Sequence, residues 1–177
     1  IGLDFVKGPQ VDHVLDLTHD RYPFEDRSVD TVFSSHFLEH ITEPNHVFSQ
    51  IGRICKDRTA IEFWTPYVFT NEAFLYGHLN FLTEEMWMHF CVAHRDAFLG
   101  MLRGRWLLHR IIYIIQADTL TEIDSAGFSP IFALRYLKGV VKEFGVEIEF
   151  RENADTPLVS PEQVYATDRN SERIRFL

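Results

Sequence analysis

The sequence predicts an α/β fold in which a mostly parallel sheet is flanked by helices. Short apolar segments alternate with segments of helical periodicity, which is the pattern of parallel strands joined by crossover helices. The 177 residues are 46% hydrophobic and 24% charged, as expected for a globular chain with one core. The predicted strands cover residues 1–6, 12–17, 30–35, 59–65, 106–116 and 146–151.

Three helices are predicted between these strands, each from an apolar face and a start or stop signal. The first follows Pro44, the second begins at a capping box formed by Thr119 and Glu122 and stops near Gly127, and the third ends at Gly145. The face of the first helix contains Val47, Phe48, Ile51, Ile54 and Cys55. The face of the third contains Ala133, Leu137, Val140, Val141 and Phe144.

Residues 67–105 interrupt the alternation and are rich in aromatic side chains. The segment is too long for a simple connection, and insertions of this kind between strands of an open sheet usually form lids or interfaces. We expect one of these roles here, with helical turns around Phe81, Met86, Trp87, Phe90 and Phe98. Residues 152–177 are polar and predict a surface tail with at most one short element.

Charge and cysteine content exclude several classes of function. The net charge of −9 and the pI of about 5.4 oppose binding to a phosphate backbone, so we expect no nucleic-acid partner. Cys55 and Cys91 lack the spacing of a disulfide framework or a thiolate zinc site. The longest apolar run, residues 111–115, is too short to cross a bilayer. These observations predict a soluble cytoplasmic protein with no membrane partner.

The most specific pattern lies in residues 12–41, which read DHVLDLTHDRYPFEDRSVDTVFSSHFLEHI. A predicted strand ends at Asp16. The pattern P-F-x-D-x-S-x-D follows in residues 23–30, and the next predicted strand leads into S-x-x-L-E-H in residues 35–40. In order and spacing these parts resemble the class I S-adenosylmethionine (SAM)-dependent methyltransferases, in particular those that act on small molecules. The resemblance covers residues 1–151 and implies a Rossmann-like sheet, SAM as cofactor and a small-molecule substrate.

The resemblance implies a cofactor role for two acids. Asp4 matches the family's ribose-binding acid at the end of its second strand, where a carboxylate can accept hydrogen bonds from both ribose hydroxyls. Asp16 matches the adenine-contacting acid, with Leu17 contributing its backbone. Two plainer alternatives remain open: Asp4 caps the turn that follows it, and Asp16 forms an Asx turn with Thr18 and His19.

The resemblance also places the reacting groups. Ser34 and Ser35 are expected to border the methionine part of SAM, and His36 is a candidate general base. His36 is equally well explained as a residue that only shapes the pocket, because methyl transfer from a sulfonium can depend mainly on proximity and orientation. In the insertion, His78 and Asn80 belong to an H-x-x-F-x-T segment that turns over the pocket in such enzymes, and His78 is the second catalytic candidate.

The alternative for the insertion is structural: Thr83 caps a helix that starts at Glu84, and His78 only packs. A different alternative concerns metal, because residues 36–40 also spell the zinc-peptidase pattern H-x-x-E-H. A zinc hydrolase using His36, Glu39 and His40 needs a helix throughout the motif and a third ligand, whereas the motif here follows a predicted strand. We therefore expect no metal ligands, and the hydrolase stays a remote alternative.

The sequence departs from the family in one respect. The family's first strand ends in a glycine-rich loop that approaches SAM closely, and the nine glycines here are dispersed without such a loop. Residues 1–151 are therefore expected to be a partial methyltransferase domain, a fragment that begins after the first strand and first helix, and the alternative is a non-catalytic binding or assembly module.

A missing central strand would leave sheet edges exposed. We expect residues 1–6 to pair directly with residues 30–35, or a second copy of the chain to cover the edges. Either arrangement predicts that the chain binds SAM weakly or not at all.

Overall fold

The computed structural model describes residues 1–170. In chain order the elements are β1 (Leu3–Asp4), β2 (His13–Val14), β3 (Val29–Ser35), α1 (Pro44–Ile54), β4 (Cys55–Pro66), α2 (Glu84–Met88), α3 (Leu99–Leu102), β5 (Arg105–Ile114), α4 (Ala117–Ser125), α5 (Pro130–Tyr136), β6 (Glu143–Arg151) and β7 (Glu162–Ala166). Short 3-10 turns span Leu38–His40 and Glu72–Phe74, and one π-helical turn spans His89–Ala93.

The central sheet has the strand order β3-β4-β6-β5-β7. Strands β3 and β4 are parallel, as are β5 and β7, whereas β6 runs antiparallel to both of its neighbours. A separate two-stranded parallel sheet contains β1 and β2. The predicted α/β class is confirmed, and each of the six predicted strands forms.

Strand β6 lies at the centre of the sheet, and its apolar side chains alternate with charged ones along one buried face. Phe144, Val146, Ile148 and Phe150 are each at most 3% exposed and belong to the main core. Gly145 lies opposite Trp64 in the register with β4, and a Cβ at this position would come within 2.8 Å of the indole ring. The glycine therefore allows Trp64 to lie flat against the sheet.

The later part of the insertion is core rather than a loose lid. Trp87 is 1% exposed, its ring stacks on Phe63 with centroids 5.1 Å apart, and it also meets the edge of Phe48. Cys91 and Leu102 are buried in the same cluster. The earlier part of the insertion instead exposes apolar side chains, namely Phe69, Phe74, Leu75, Tyr76, Leu79 and Phe81.

Two helix predictions were wrong in their details. Helix α4 begins at Ala117, so Thr119 and Glu122 lie inside the helix and form no capping box. Helix α5 ends at Tyr136, and the chain turns through Gly139, whose φ of +79° suits glycine. The buried residues after this turn belong to the entry into β6, so the apolar spacing was real but not helical.

The predicted tail also differs from the structure. Residues 162–166 form β7, which pairs in parallel with β5, and Val164 and Ala166 are buried. The one short element allowed in this region is thus an edge strand of the central sheet. Residues 171–177 lie outside the described part of the chain.

The expected direct pairing of the first strand with β3 was wrong. Within residues 1–170, β1 pairs with β2 and β3 pairs with β4, and a cleft separates the two sheets. The connection from β2 to β3 is held on α1 by Arg53, whose buried guanidinium donates to the carbonyls of Tyr22 and Phe24 and to Asp26. Arg53 thus anchors the connecting segment to α1.

Among the described helices, none combines the length and the apolarity that a membrane span requires.

Candidate active site

The cleft between the two sheets brings together the residues predicted to hold the cofactor. Its volume is about 1150 Å³. The predicted residues on its wall are Asp4, Asp16, Leu17, Ser34, Ser35 and His36. Asp4 is the last residue of β1, Asp16 follows β2, and the two serines end β3, so three strand ends contribute to one cavity.

Asp4 is half-buried and only partly engaged. Its Oδ1 accepts a hydrogen bond from the backbone N–H of Val6 at 2.9 Å, which is the capping turn proposed as the alternative. An ionised carboxylate offers about four lone-pair positions, so this single bond leaves acceptor capacity on the cleft wall. The capping role and the ligand role are therefore compatible.

Asp16 is bound locally, as its alternative predicts. Its Oδ1 accepts from the backbone N–H and the hydroxyl of Thr18, and its Oδ2 lies 3.0 Å from Nδ1 of His19. The hydrogen bonds from Thr18, followed by that from His19, lower the pKa of Asp16 to about 2. Asp16 is therefore ionised at neutral pH, and any ligand shares it with the Asx turn.

A cluster of four charged groups lies at the carboxyl end of β3. Nδ1 of His36 is 3.1 Å from Glu39 Oε1, and its Nε2 is 3.0 Å from Glu143 Oε2. Arg169 donates to both oxygens of Glu143 and, at 2.9 Å, to the hydroxyl of Ser35. The guanidinium of Arg169 also lies over the Trp64 ring, 4.6 Å from its centroid. Two cations and two carboxylates thus neutralise one another.

The protonation state of His36 bears on its predicted role. The hydrogen bonds to Glu143 and then Glu39 raise the pKa of His36 to about 9. Burial alone would raise the pKa of Glu143, but the hydrogen bonds from His36 and Arg169 lower it to about 2. The raised pKa favours the protonated ring at neutral pH, and both ring nitrogens are engaged by charged side chains, Nδ1 by Glu39 and Nε2 by Glu143 and Arg169. The geometry favours the alternative in which His36 shapes the pocket.

Sequence reasoning missed Glu143 and Arg169. They are more than a hundred positions from Ser35 and His36 in sequence, and Arg169 follows a strand that was expected to be a tail. Neither residue belongs to a recognisable motif. An arginine near the end of an apolar strand is too common to have been selected from sequence.

The insertion residues are held by the turn at residues 38–40. Asn80 donates its side-chain amide to the carbonyls of Leu38 and Ile41, which occupies both N–H groups. His78 is half-buried, and its ring packs edge-on against that of His40, with centroids 4.6 Å apart. Helix α2 does start at Glu84, but the Thr83 hydroxyl makes no capping bond.

The zinc-peptidase pattern is not helical in the structure. His36 has a φ of +52° at the end of β3, and a 3-10 turn begins only at Leu38. His36 and His40 therefore do not lie one helical turn apart, and both ring nitrogens of His36 face carboxylates. The geometry that a hydrolase of this type requires is absent from these residues.

Comparison with known proteins agrees with the resemblance. A sequence model of the family described as a methyltransferase domain matches residues 5–61, which include Asp16 and the whole of β3 but not Asp4. The predicted resemblance to the class I SAM-dependent methyltransferases is confirmed, and SAM is the cofactor it indicates. Among curated proteins, none matches the sequence significantly.

Three solved methyltransferase structures are similar to this chain to different degrees. A SAM-dependent methyltransferase from Archaeoglobus fulgidus superimposes with a TM-score of 0.55 at 16% identity, covering 77% of this chain and 66% of that protein. A methyltransferase from Mesorhizobium loti has a TM-score of 0.48 at 14% identity, covering 84% of this chain and 78% of that protein. A geranyl diphosphate C-methyltransferase from Streptomyces coelicolor has a TM-score of 0.42 at 15% identity, covering 78% of this chain and 53% of that protein. The chain thus spans less than two thirds of the Archaeoglobus and Streptomyces proteins.

Proposed function

We propose that the cleft binds SAM and that the protein takes part in methyl transfer to a small molecule. One observation carries the proposal. Five residues assigned to the cofactor from sequence, on three separate strand ends, line a single cavity. Ligand binding outside the carboxyl ends of strands is the general rule for open α/β sheets.

The residues on the cleft wall fit an adenosyl cofactor. The spare acceptor positions of Asp4 suit ribose hydroxyls, and the backbone of Leu17 borders the same space as Asp16. Ser34 and Ser35 lie on the strand facing these acids across the cleft. When bound, SAM supplies an electrophilic methyl group on a sulfonium. The chain's own contribution is to bind and orient, because both ring nitrogens of His36 are engaged by charged side chains.

The acceptor is proposed to be a small molecule. The overall charge of −9 disfavours polyanionic substrates, and the cluster around His36 carries no net charge. An acceptor that attacks before losing its proton, or that is already deprotonated, needs no base at this position. The local geometry therefore favours nucleophiles that are reactive without general-base assistance.

Nuclear magnetic resonance titration tests this function. We expect weak binding, because residues 1–170 contain no glycine-rich loop beside the cleft, and chemical shifts report weak binding well. Adding SAM, and separately S-adenosylhomocysteine, should move amide signals of Asp4, Leu17, Ser34 and Ser35 in a saturable way. Signals of β6 and β7, outside the cleft, serve as the internal control. Absence of saturable shifts at the cleft with both compounds would overturn the proposal.

A non-catalytic binding or assembly module is the second candidate. The observation in its favour is that β3 forms backbone pairs on one side only within the described chain. An unpaired edge of this kind is a surface to which another chain can add a strand. Concentration-dependent association together with unchanged cleft signals in the titration would support the module over the enzyme.

A further inference from the structure

We propose that Glu39, His40 and His78 bind one divalent transition-metal cation. One ligand atom from each residue lies within 4.8 Å of the other two. Two imidazoles and one carboxylate form a donor set that binds zinc and its neighbours in the first transition row. This inference does not depend on the proposed methyl transfer.

The hydrogen bonds of the two histidines leave one ring nitrogen of each free. Nδ1 of His40 lies 3.2 Å from the carbonyl oxygen of Gly77, and Nδ1 of His78 lies 3.3 Å from that of Ala73. A carbonyl oxygen can only accept, so each Nδ1 carries the proton and each neutral ring has its lone pair on Nε2. Metal-binding histidines are usually fixed in this way, with the second nitrogen donating to a carbonyl or carboxylate.

The third donor is a buried carboxylate with one oxygen unused. Glu39 is 2% exposed, and its Oε1 is engaged by His36. Within residues 1–170, its Oε2 is buried and has no hydrogen-bond partner. Leaving a buried charged oxygen unpaired costs the desolvation free energy of that group. A cation beside this oxygen would remove that cost.

The backbone holds the insertion segment against the 3-10 turn in the position that brings the donors together. The carbonyl of Glu39 accepts from the N–H groups of Leu79, at 2.6 Å, and Asn80, at 3.1 Å. Asn80 in turn donates to two carbonyls flanking Glu39 and His40. Donors about 2.0–2.2 Å from a tetrahedral zinc lie about 3.3–3.6 Å apart. The three ligand atoms, which lie within 4.8 Å of one another, therefore have to approach by about an ångström to bind one ion.

The number of ligands indicates the type of site. Three protein ligands leave a fourth position open, which is the arrangement of reactive rather than structural zinc sites. His40 also lines the large cleft, so the open position is accessible to water or to a donor atom of a molecule bound there. The proposed site therefore belongs to the margin of the cleft, on the side of the insertion.

Metal titration tests the proposal on protein that has no histidine tag and has been stripped with a chelator. We expect one equivalent of Zn²⁺ by isothermal titration, and a rise in melting temperature because the ion binds the folded state. Co²⁺ should bind the same site and report nitrogen and oxygen ligands through its visible spectrum. His78→Ala and Glu39→Gln should each weaken binding more than about tenfold, since loss of even an outer-shell partner costs that much.

The matched control is His94→Ala. His94 lies in the same insertion, and its ring is 4.5 Å from that of His89, so this pair is the competing histidine cluster. Binding should be unchanged in this variant. Circular dichroism of metal-free His78→Ala shows whether it is folded, which separates loss of a ligand from loss of structure. No stoichiometric binding in the unmodified protein, or equal affinity in folded His78→Ala, would overturn the proposal.

Discussion

The two sides of the molecule are built in opposite ways. From β4 through β6 to β5, every strand has partners on both edges and the interior is filled by large side chains such as Phe63, Trp87 and Phe144. From β3 to β1, the sheet is interrupted by a cleft, and Phe5, Val14 and Phe33 are more than half exposed. Stability is therefore concentrated on the first side, while the predicted ligand contacts lie on the second.

This contrast teaches where sequence changes can be tolerated. A side chain in the packed side touches many neighbours, so its removal leaves a cavity, whereas a side chain on the open side mostly faces solvent or ligand. The insertion belongs partly to each side, because α2 packs into the core and the segment before it remains exposed. Stability and binding should thus respond to different residues.

The largest expected effect is on the packed side. Trp87→Ala should lower the free energy of unfolding by about 3–5 kcal/mol, because a fully buried aromatic side chain is replaced by a cavity. Urea denaturation followed by circular dichroism measures the change. Tyr76→Ala, in the exposed part of the same insertion, is the control and should change stability by less than about 0.5 kcal/mol. Equal losses of stability in Trp87→Ala and Tyr76→Ala would show that the two parts of the insertion do not differ in this way.

The next effect concerns the open side and appears in binding. Asp4→Ala should weaken SAM binding by about 1.5–3 kcal/mol, or about tenfold to a hundredfold, through loss of a charge-assisted hydrogen bond. Asp30→Ala is the matched control, because Asp30 lines the same cleft but both of its oxygens bind Lys56 at 2.8 Å. An unchanged dissociation constant in Asp4→Ala would remove this residue from the site.

The strand positions could be predicted from sequence because they depend on local pattern, and the same pattern selected Asp4 and Asp16, which line the cleft. Apolar segments of strand length and the spacing from Asp16 to Glu39 are properties of adjacent residues. The turn at Gly139 and the pairing of β7 depend on tertiary contacts, as do the partners of His36. Val140 and Val141 are buried as expected, but a buried apolar pair does not distinguish a helix from a turn that enters a strand.

The metal candidates illustrate the same limit. Sequence spacing drew attention to His36, Glu39 and His40, since they are adjacent in the chain. In the proposed site His36 is replaced by His78, which comes from the insertion and is held near the others by hydrogen bonds of Leu79 and Asn80 to residues 38–41. A ligand contributed across such a distance has no signature in a single sequence.

The charged cluster lies where the two sides meet, and its predicted effect is intermediate. Glu143→Gln should reduce stability by about 1–3 kcal/mol, because Arg169 and His36 lose their charged acceptor. Glu147→Gln is the control from the same strand, since its ion pair with Arg110 is more exposed and should contribute less than about 1 kcal/mol.

The pH dependence of Glu143→Gln follows from the same contact. The pKa of Glu143 is lowered from 4.5 to about 2 in the folded protein, so the folded state favours the ionised carboxylate. The stabilisation is present above pH 4.5 and is lost as the pH falls towards 2. Denaturation curves at several acidic pH values should show this loss in the unmodified protein. A glutamine variant with the same acid dependence would contradict the assignment.

The smallest effect on stability is expected at the edge of the cleft. Phe33 on β3 is 61% exposed, so Phe33→Lys should change the free energy of unfolding by less than about 0.5 kcal/mol. Its effect should instead be on association, if a second copy of the chain covers this edge as the sequence predicts, because lysine on an edge strand opposes pairing with another strand. Sedimentation velocity at increasing protein concentration measures the association state of the unmodified chain and of Phe33→Lys. Self-association of the unmodified chain that disappears in Phe33→Lys would support an edge contact through β3. If the unmodified chain stays monomeric at every concentration, the expected homo-oligomer is ruled out, and the open side is left to ligands alone.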